Sequence, residues 1–212
     1  SILHPYLENR LPEIKAGTYP KQHLWGIDGL KKDPNYKVKI INTEIGKIPM
    51  IIEKLIDKIV FRSQSSFRIE LAAIKASKKS DLIYSIYGPL ALNKFLKKTK
   101  IVSWVFGLPK SVTKSLLHPY EPENLKRNTG FFCLTPDAES IFSKYGPSKF
   151  LPWCIDMKFF TPTTIAKSPN KKFFIAAGKT NRDYDTLIRS ASGTNAEIRI
   201  IGPATQKWRH LP

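Results

Sequence analysis

The chain has 212 residues, of which 35 are Lys or Arg and 17 are Asp or Glu, so its formal net charge is +18. With 42% hydrophobic and 11% aromatic residues, it can bury a core, which excludes a disordered tail or low-complexity linker. Its two cysteines, Cys133 and Cys154, are too few for a disulfide scaffold and suit a reducing compartment. Its start lacks the pattern of a signal peptide, and no apolar run reaches the roughly 20 residues of a membrane-spanning helix. We therefore expect a cytoplasmic protein, either soluble or bound peripherally to the inner face of the membrane.

The positive charge predicts an anionic partner without identifying it. Nucleic acid, an anionic bilayer and a phosphate-bearing substrate are all attracted by such a field. Basic residues concentrate between Lys75 and Lys100, where they interrupt apolar segments and do not form a continuous tail. A solvated lysine-rich face explains this pattern equally well. Because no recognisable nucleic-acid-binding motif is present, we expect no specific nucleic-acid partner.

Strand and helix patterns alternate along most of the chain. Apolar, β-branched runs predict five strands, at 34–43, 81–87, 101–107, 129–135 and 149–155. Between and before them, helical patterns occur at 21–32, 48–59, 90–98 and 136–146. This order is typical of βαβ units, so we predict an α/β fold with a Rossmann-like parallel sheet.

The helix predicted over 48–59 has an apolar stripe that allows two interpretations. The stripe consists of Ile48, Ile51, Ile52, Leu55, Ile56 and Ile59. Such a stripe more often faces a core than a membrane. The alternative is that this helix and the basic, aromatic-bearing segment Leu90–Lys100 face an anionic membrane.

A domain boundary is expected near residue 157. Residues 157–171 combine prolines, polar residues and lysines, as interdomain linkers do. Beyond them the pattern restarts, with a strand at 172–178, a helix at 183–192 and a strand at 196–202. We therefore predict an amino-terminal domain over 1–156 and the start of a second Rossmann-like domain over 172–212. One βαβ unit is too little to cover both faces of a parallel sheet, so this second domain looks incomplete.

Two short segments are candidates for a binding site. In the first, Gly17 lies in a loop that leads into a helix whose first turn contains Lys21 and His23. A glycine allows close approach of the backbone, and a helix amino terminus favours an anion or an acceptor oxygen. An ordinary loop is the alternative interpretation. His4, His118 and His210 are scattered and are expected to be structural. No metal-ligand spacing is present, so no metal is expected.

The second candidate segment follows the strand predicted at 172–178. Gly178 ends that strand, and Lys179 and Arg182 lie in the loop before the next helix. Ligands of open parallel sheets bind outside the carboxyl ends of the strands. Two cations there could neutralise a diphosphate, although a solvated loop would explain them as well.

Three segments resemble a glycosyltransferase of the GT-B fold, in the retaining family 4 group. They are EIKAGTYPKQHLWGIDGLKKDPNYKVKII, FLPWCIDMKFFTP, and FFIAAGKTNRDYDTLIRSAS followed by IRIIGP. The resemblance covers nearly the whole chain and is most specific in the last segment. It implies a retaining, metal-independent transfer of a sugar from a nucleoside diphosphate donor to a cell-envelope or lipid-linked acceptor. No cofactor besides this donor substrate is implied.

The resemblance also implies roles for individual residues. Lys179 and Arg182 would bind the donor diphosphate, and Gly17 would approach the donor phosphates or the reacting sugar. His23, Lys21 and Gly178 would lie near the donor or acceptor sugar. No catalytic residue is predicted, because the strand at 101–107 is not followed by the histidine that many family members have there. The family's E-x7-E motif would lie downstream of Pro212, so we expect weak donor binding and little or no turnover by these residues alone.

Other functions stay open at this point. A non-catalytic module that binds sugars, nucleotides or a membrane surface is the main alternative. A sugar-nucleotide epimerase of the same fold would differ in needing no acceptor. A nucleic-acid-binding protein is supported only by the net charge.

Overall fold

A computed structural model describes residues 1–4, 6–43, 49–61, 65–96, 98–107, 117–161, 173–178 and 182–201. The chain forms two compact units, Ser1–Thr161 and Pro162–Pro212. The division between them falls inside the segment 157–171 that we predicted as a linker.

The first unit is built on a parallel sheet. Its strands are β1 (Ile2–Leu3), β2 (Leu82–Ser85), β3 (Lys100–Val105), β4 (Gly130–Cys133) and β5 (Ser148–Phe150). Its α-helices are α1 (Leu7–Lys15), α2 (Ile27–Lys32), α3 (Met50–Ile59), α4 (Phe67–Ser77), α5 (Pro122–Leu125) and α6 (Pro136–Phe142), and two short 3-10 helices span Lys21–Leu24 and Asn93–Phe95. The five strands lie side by side in chain order, and all of their pairings are parallel. The predicted α/β class with a parallel sheet is therefore confirmed, and the arrangement is consistent with a Rossmann-like fold.

Apolar side chains cover both faces of this sheet. Successive residues of a strand point to opposite faces, and on β2 Ile83 joins one buried cluster while Tyr84 joins another. The cluster around Ile83 includes Ala72 and Ala73 of α4. The cluster around Tyr84 includes Trp104 of β3 and residues of α1 and α2. Burial of one large apolar side chain contributes about 1.5–3 kcal/mol, so these clusters hold the sheet between its helices.

The strand predicted at 34–43 is wrong as a regular element. The segment is extended beside β1 but forms only an isolated parallel bridge between Ile2 and Ile40. The amide of Ile2 donates to the Lys39 carbonyl at 2.7 Å, and the amide of Ile41 donates to the Ile2 carbonyl at 2.8 Å. Because β1 has only two residues, it offers too short an edge for a longer ladder. This segment lies on the side of β1 away from β2, so the spatial order reverses at β1.

Two predicted helices differ from the structure. The helix predicted over 21–32 is divided between the 3-10 helix Lys21–Leu24 and α2, because Trp25 and Gly26 have left-handed backbones with φ of 51° and 79°. Within the helix predicted over 90–98, the described residues form only the 3-10 helix Asn93–Phe95. Helices α1 and α4 were not predicted.

Helix α3 lies within the predicted helix 48–59, but the expectation that its stripe faces the core is wrong for every described stripe residue except Ile56, which packs on a small buried cluster. None of its residues is buried, and Ile51 is 81% exposed. Residue Ile48 lies outside the described residues. In the described part of the chain, no helix has the length and apolar character needed to cross a bilayer.

The described residues of the second unit, 173–178 and 182–201, form a parallel βαβ unit. Its elements are β6 (Phe173–Ala177), α7 (Tyr184–Ala191) and β7 (Glu197–Ile201), close to the three elements predicted there. Strands β6 and β7 pair in parallel over their full length. Asp183 begins α7, where its side chain accepts a hydrogen bond from the Thr186 amide at 3.0 Å.

Candidate functional site

The reversal of strand order at β1 indicates where a ligand would bind in the first unit. In open parallel sheets, ligands occupy the crevice outside the carboxyl ends of the strands at such a reversal. His4 follows β1 at this edge, and Ile86 and Gly88 follow β2. Gly88 has a φ of 123°, a conformation available almost only to glycine. A ligand of the first unit is therefore expected at the carboxyl edge beside β1 and β2.

The segment Tyr19–Gly26 is fixed to this end of the sheet by a polar and aromatic chain of contacts. Trp104 of β3 donates from its indole N–H to the Tyr84 hydroxyl at 2.6 Å. The Tyr84 hydroxyl in turn donates to the Trp25 carbonyl at 2.9 Å. The Trp25 ring packs edge-on against Trp104, with ring centroids 4.8 Å apart. These contacts hold the otherwise irregular segment over β2 and β3.

Five rings form a contiguous group here, which we call the aromatic cluster: Tyr19, His23, Trp25, Phe106 and Trp153. Ring centroids are 4.8 Å apart for Tyr19 and His23, 5.6 Å for His23 and Trp153, 4.2 Å for Trp25 and Trp153, and 5.3 Å for Trp25 and Phe106. Trp153 is 40% exposed and Phe106 is 46% exposed. Flat, half-exposed rings can stack on a sugar ring or a nucleobase. The cluster therefore provides a surface suited to such a ligand.

Asp156 connects the 3-10 helix Lys21–Leu24 to the segment after β5. Its carboxylate accepts from the Lys21 amide at 3.0 Å, and its own amide donates to the Gln22 side-chain oxygen at 2.5 Å. The same carboxylate also accepts from the amides of Lys158 and Phe159. The Lys21 amide, followed by those of Phe159 and Lys158, lowers the pKa of Asp156 below its usual value. A carboxylate of the protein itself thus occupies the amino terminus of this short helix.

The surroundings of the two histidines in this region, His4 and His23, favour the neutral form of each imidazole. Burial is the main cause that lowers the pKa of both His4 and His23, and the charge of Arg10 lowers that of His23 further. Nδ1 of His4 accepts from the Tyr6 amide at 3.2 Å. A neutral imidazole has one acceptor nitrogen, and in His4 the Tyr6 amide already occupies it, so His23 is the one of the two that can accept a hydrogen bond from a ligand hydroxyl group.

In the first predicted segment, the three candidate residues Gly17, Lys21 and His23 have different surroundings. Gly17 comes directly after α1 with a φ of 73°, and no atom within 4 Å would contact a Cβ at this position. Its glycine is explained by the left-handed turn that ends α1. The Lys21 side chain is exposed, while its amide is paired with Asp156. His23 is the residue of this segment that joins the aromatic cluster.

The second predicted segment places two of its three residues in contact. The Arg182 side chain lies over Gly178, so that a Cβ at position 178 would be only 2.5 Å from Nε and 2.9 Å from Cγ of Arg182. The Gly178 carbonyl accepts from the Tyr184 hydroxyl at 2.8 Å, and its amide donates to the Ile201 carbonyl at 3.0 Å. Lys179 lies outside the described residues. The structure thus brings an exposed guanidinium to the carboxyl end of β6.

Sequence reasoning did not find the aromatic cluster or the role of Asp156. Trp25 and Trp153 are 128 positions apart, and a single sequence gives no sign that they touch. The weak signal available was that Phe106 and Trp153 each lie near the carboxyl end of a predicted strand, 101–107 and 149–155, where side chains reach the carboxyl edge.

Among the described residues, no group of three or more His, Cys, Asp or Glu side chains is placed to hold a metal ion. Comparisons with protein families, with curated proteins and with solved structures find no match for this chain.

Proposed function

We propose that the chain is a glycosyltransferase of the GT-B type, which moves a sugar with retention from a nucleoside diphosphate donor to a cell-envelope or lipid-linked acceptor. The observation that carries the proposal is the position of Arg182, folded over Gly178 at the carboxyl end of β6. This is the end of a parallel strand at which α/β proteins bind nucleotides. The sequence resemblance around Gly178–Arg182 gives the guanidinium its role.

Sugar transfer from a nucleoside diphosphate is favoured by positive charge beside the donor diphosphate. When the bond between the sugar and the diphosphate breaks, negative charge accumulates on the departing phosphate oxygens. A guanidinium can form two parallel hydrogen bonds to those oxygens and stabilise them in the transition state. Arg182 would supply this charge, and Lys179 would add a second cation without the planar fork of Arg. This assignment needs no metal ion.

The aromatic cluster would bind a sugar ring. Half-exposed Trp153 and Phe106 offer apolar faces, and His23 stands beside Trp153 with a pKa lowered chiefly by burial. At neutral pH a neutral His23 could accept a hydrogen bond from a sugar hydroxyl. Lys21 lies in the same 3-10 helix as His23 and would contribute to this site. The resemblance assigns Gly17, at the end of α1, to the donor phosphates or the reacting sugar.

An assay of donor consumption tests the proposal and separates it from an epimerase or a binding module. UDP- and GDP-sugars are incubated with the protein, with or without an extract of cell-envelope glycans and glycolipids, and the products are separated by chromatography. We expect slow release of the nucleoside diphosphate that depends on the extract and is lost in Arg182→Ala. Arg189→Ala, at the other end of α7, is the matched control and should keep the activity. Isomerisation of the sugar without an acceptor would favour an epimerase, and no consumption of any donor together with no binding of UDP or GDP would contradict the proposal.

A further inference from the structure

Helix α3 is attached to the first unit by its polar side. Glu53 forms an ion pair with Arg68 of α4, with 2.6 Å between Oε2 and Nη2. The Asp57 carboxylate accepts from the Phe67 amide at 2.6 Å. Ile56 and Val60 pack on the small buried cluster around Phe61 and Leu92. The residues that face inward are therefore Glu53, Ile56, Asp57 and Val60, spaced as one stripe of a helix.

The opposite side of α3 carries most of its apolar residues, and we call it the outer face. It consists of Met50, Ile51, Ile52, Leu55 and Ile59, flanked by Lys54 and Lys58. Its five apolar side chains are between 49% and 81% exposed. An ordinary surface helix has the reverse orientation, with apolar residues inward and charged residues outward. The outer face is thus a contiguous apolar strip on the surface of the unit, of the kind that marks an interaction site.

The charges of α3 indicate the chemistry of the partner. Both acids of the helix, Glu53 and Asp57, are directed inward and are bonded to α4 or its amino terminus. Of the charged residues of α3 itself, the cations Lys54 and Lys58 are the ones that remain beside the apolar strip, and the whole chain has a net charge of +18. Apolar residues flanked by lysines fit the boundary between the acyl chains and the anionic head groups of a bilayer. A long lysine can extend its amino group to the head groups while its stem remains on the apolar side.

We propose that the outer face of α3 docks the protein onto an anionic lipid surface, with the helix lying in the plane of the interface. Ile51, Leu55 and Ile59 would enter the acyl boundary, and Lys54 and Lys58 would contact the lipid phosphates. This docking is independent of sugar transfer, and its test does not depend on activity.

Sedimentation with vesicles tests the proposal on the full chain. Vesicles of phosphatidylcholine alone are compared with vesicles that contain equal parts of phosphatidylglycerol. We expect binding to the anionic vesicles that weakens as salt is raised, because exposed charges are screened. Reversal of two lysines in Lys54→Glu/Lys58→Glu should weaken binding by at least roughly 30-fold. Removal of two apolar anchors in Ile51→Asp/Leu55→Asp should weaken it by at least roughly 100-fold.

Matched variants control for net charge and for surface apolarity. Lys31→Glu/Lys32→Glu on α2 makes the same charge reversal at exposed lysines, and Ile141→Asp replaces an Ile of α6 that is 37% exposed. Both should bind anionic vesicles within about fivefold of the original chain. Equal losses in control and α3 variants would overturn the proposal, because binding would then follow total charge alone. Equal binding to the two kinds of vesicle would overturn it as well.

A fluorescent reporter distinguishes lipid contact from self-association. Cys154 is exposed, whereas Cys133 is buried and burial raises its pKa to about 11, so a label directed to thiolates would leave Cys133 unmodified. In a Cys154→Ser background, a polarity-sensitive dye on Leu55→Cys should shift to the blue when anionic vesicles are added. A dimer of the original chain that Ile51→Asp/Leu55→Asp makes monomeric, with no dye response to vesicles, would instead assign the outer face to a second copy.

Discussion

At the scale of single residues, Glu70 shows how a buried carboxyl group organises the first unit. It is only 1% exposed, and its oxygens accept from the Ser65 hydroxyl and from the amides of Ala91 and Leu92 at 2.5–2.9 Å. The Glu70 side chain thus fixes two segments outside the strands, the one before α4 that contains Ser65 and the one after β2 that contains Ala91 and Leu92. Burial is the largest cause of its shift and raises the pKa of Glu70 above the usual value.

Removal of this carboxyl group should destabilise the unit strongly. Glu70→Ala leaves two buried amides and a hydroxyl without their acceptor, so we expect a loss of about 2–5 kcal/mol in the free energy of unfolding. Urea denaturation followed by tryptophan fluorescence measures it. Glu123→Ala, which removes only an exposed pair with Lys126, should leave the stability unchanged. If Glu70→Ala changed the free energy of unfolding as little as Glu123→Ala does, these hydrogen bonds would not be what holds the two segments.

The direction of the Glu70 pKa shift also predicts a pH dependence. The folded chain holds the proton of Glu70 more tightly than the unfolded chain does. Stability relative to Glu70→Gln should therefore decrease as the pH rises from the ordinary pKa of Glu, about 4.3, towards the higher value in the folded protein. Urea midpoints measured across this pH range in both proteins test the sign. A difference that increases with pH would contradict a raised pKa.

Gly178 offers a second test at this scale, because its lack of a side chain leaves room for Arg182. In Gly178→Ala the new methyl group would displace the flexible Arg182 side chain rather than the backbone. We expect affinity for a nucleoside diphosphate to fall by roughly tenfold or more, as in the loss of a hydrogen bond to a charged group, while the urea midpoint stays unchanged. Calorimetric titration measures the affinity, with Gly29→Ala as the control, and urea denaturation measures the midpoint. Unchanged affinity would separate Arg182 from the ligand.

At the scale of elements, the strands in the middle of the sheet could be predicted and its borders could not. Runs such as those around Ile83 and Ile101 are apolar, short and flanked by turn residues, which is the pattern of buried parallel strands. The segment 34–43 has a similar composition, yet its partner β1 is too short to give it a ladder. For α3, periodicity correctly predicts a helix but cannot say which side faces inward. That choice depends on Arg68 and the Phe67 amide, which attract the acids.

The hydrogen bond from the Asp156 amide to the Gln22 side chain is another feature that no local sequence pattern reveals, because the two residues are 134 positions apart. Since the pKa of Asp156 is lowered, its contribution to stability is present above the ordinary Asp value of about 3.9 and is lost as the pH falls through the folded value. Asp156→Asn should therefore differ most from the original chain near neutral pH and least in acid. Urea midpoints from neutral pH to acid measure this difference. If the difference in urea midpoint between the two proteins were the same at every pH, the hydrogen-bond partners of Asp156 would not favour its charged form.

At the scale of the whole molecule, the two units differ in how well their strands are covered. The sheet of the first unit has buried clusters on both faces. Among the described residues of the second unit, Phe174, Ile175 and Ile201 are more than half exposed, and a pair of strands with little cover is only marginally stable.

Amide hydrogen exchange should reveal this difference. We expect the amides of β6 and β7 to exchange much faster than those of β2 and β3, because local opening exposes less apolar surface in a sparsely covered pair of strands. Mass spectrometry of peptic fragments after a time course of deuteration measures it. Equal protection in both units would show that the second unit is as firmly packed as the first.

The most direct test of the central claim, that the chain binds a nucleotide-sugar donor through the loop after β6, is a calorimetric titration with UDP and GDP. The original chain and Arg189→Ala should bind one of the two saturably, and Lys179→Ala/Arg182→Ala should not. If neither nucleotide binds the original chain, or if the double variant binds as well as Arg189→Ala does, the donor site is not at this loop and the proposed transferase function is contradicted.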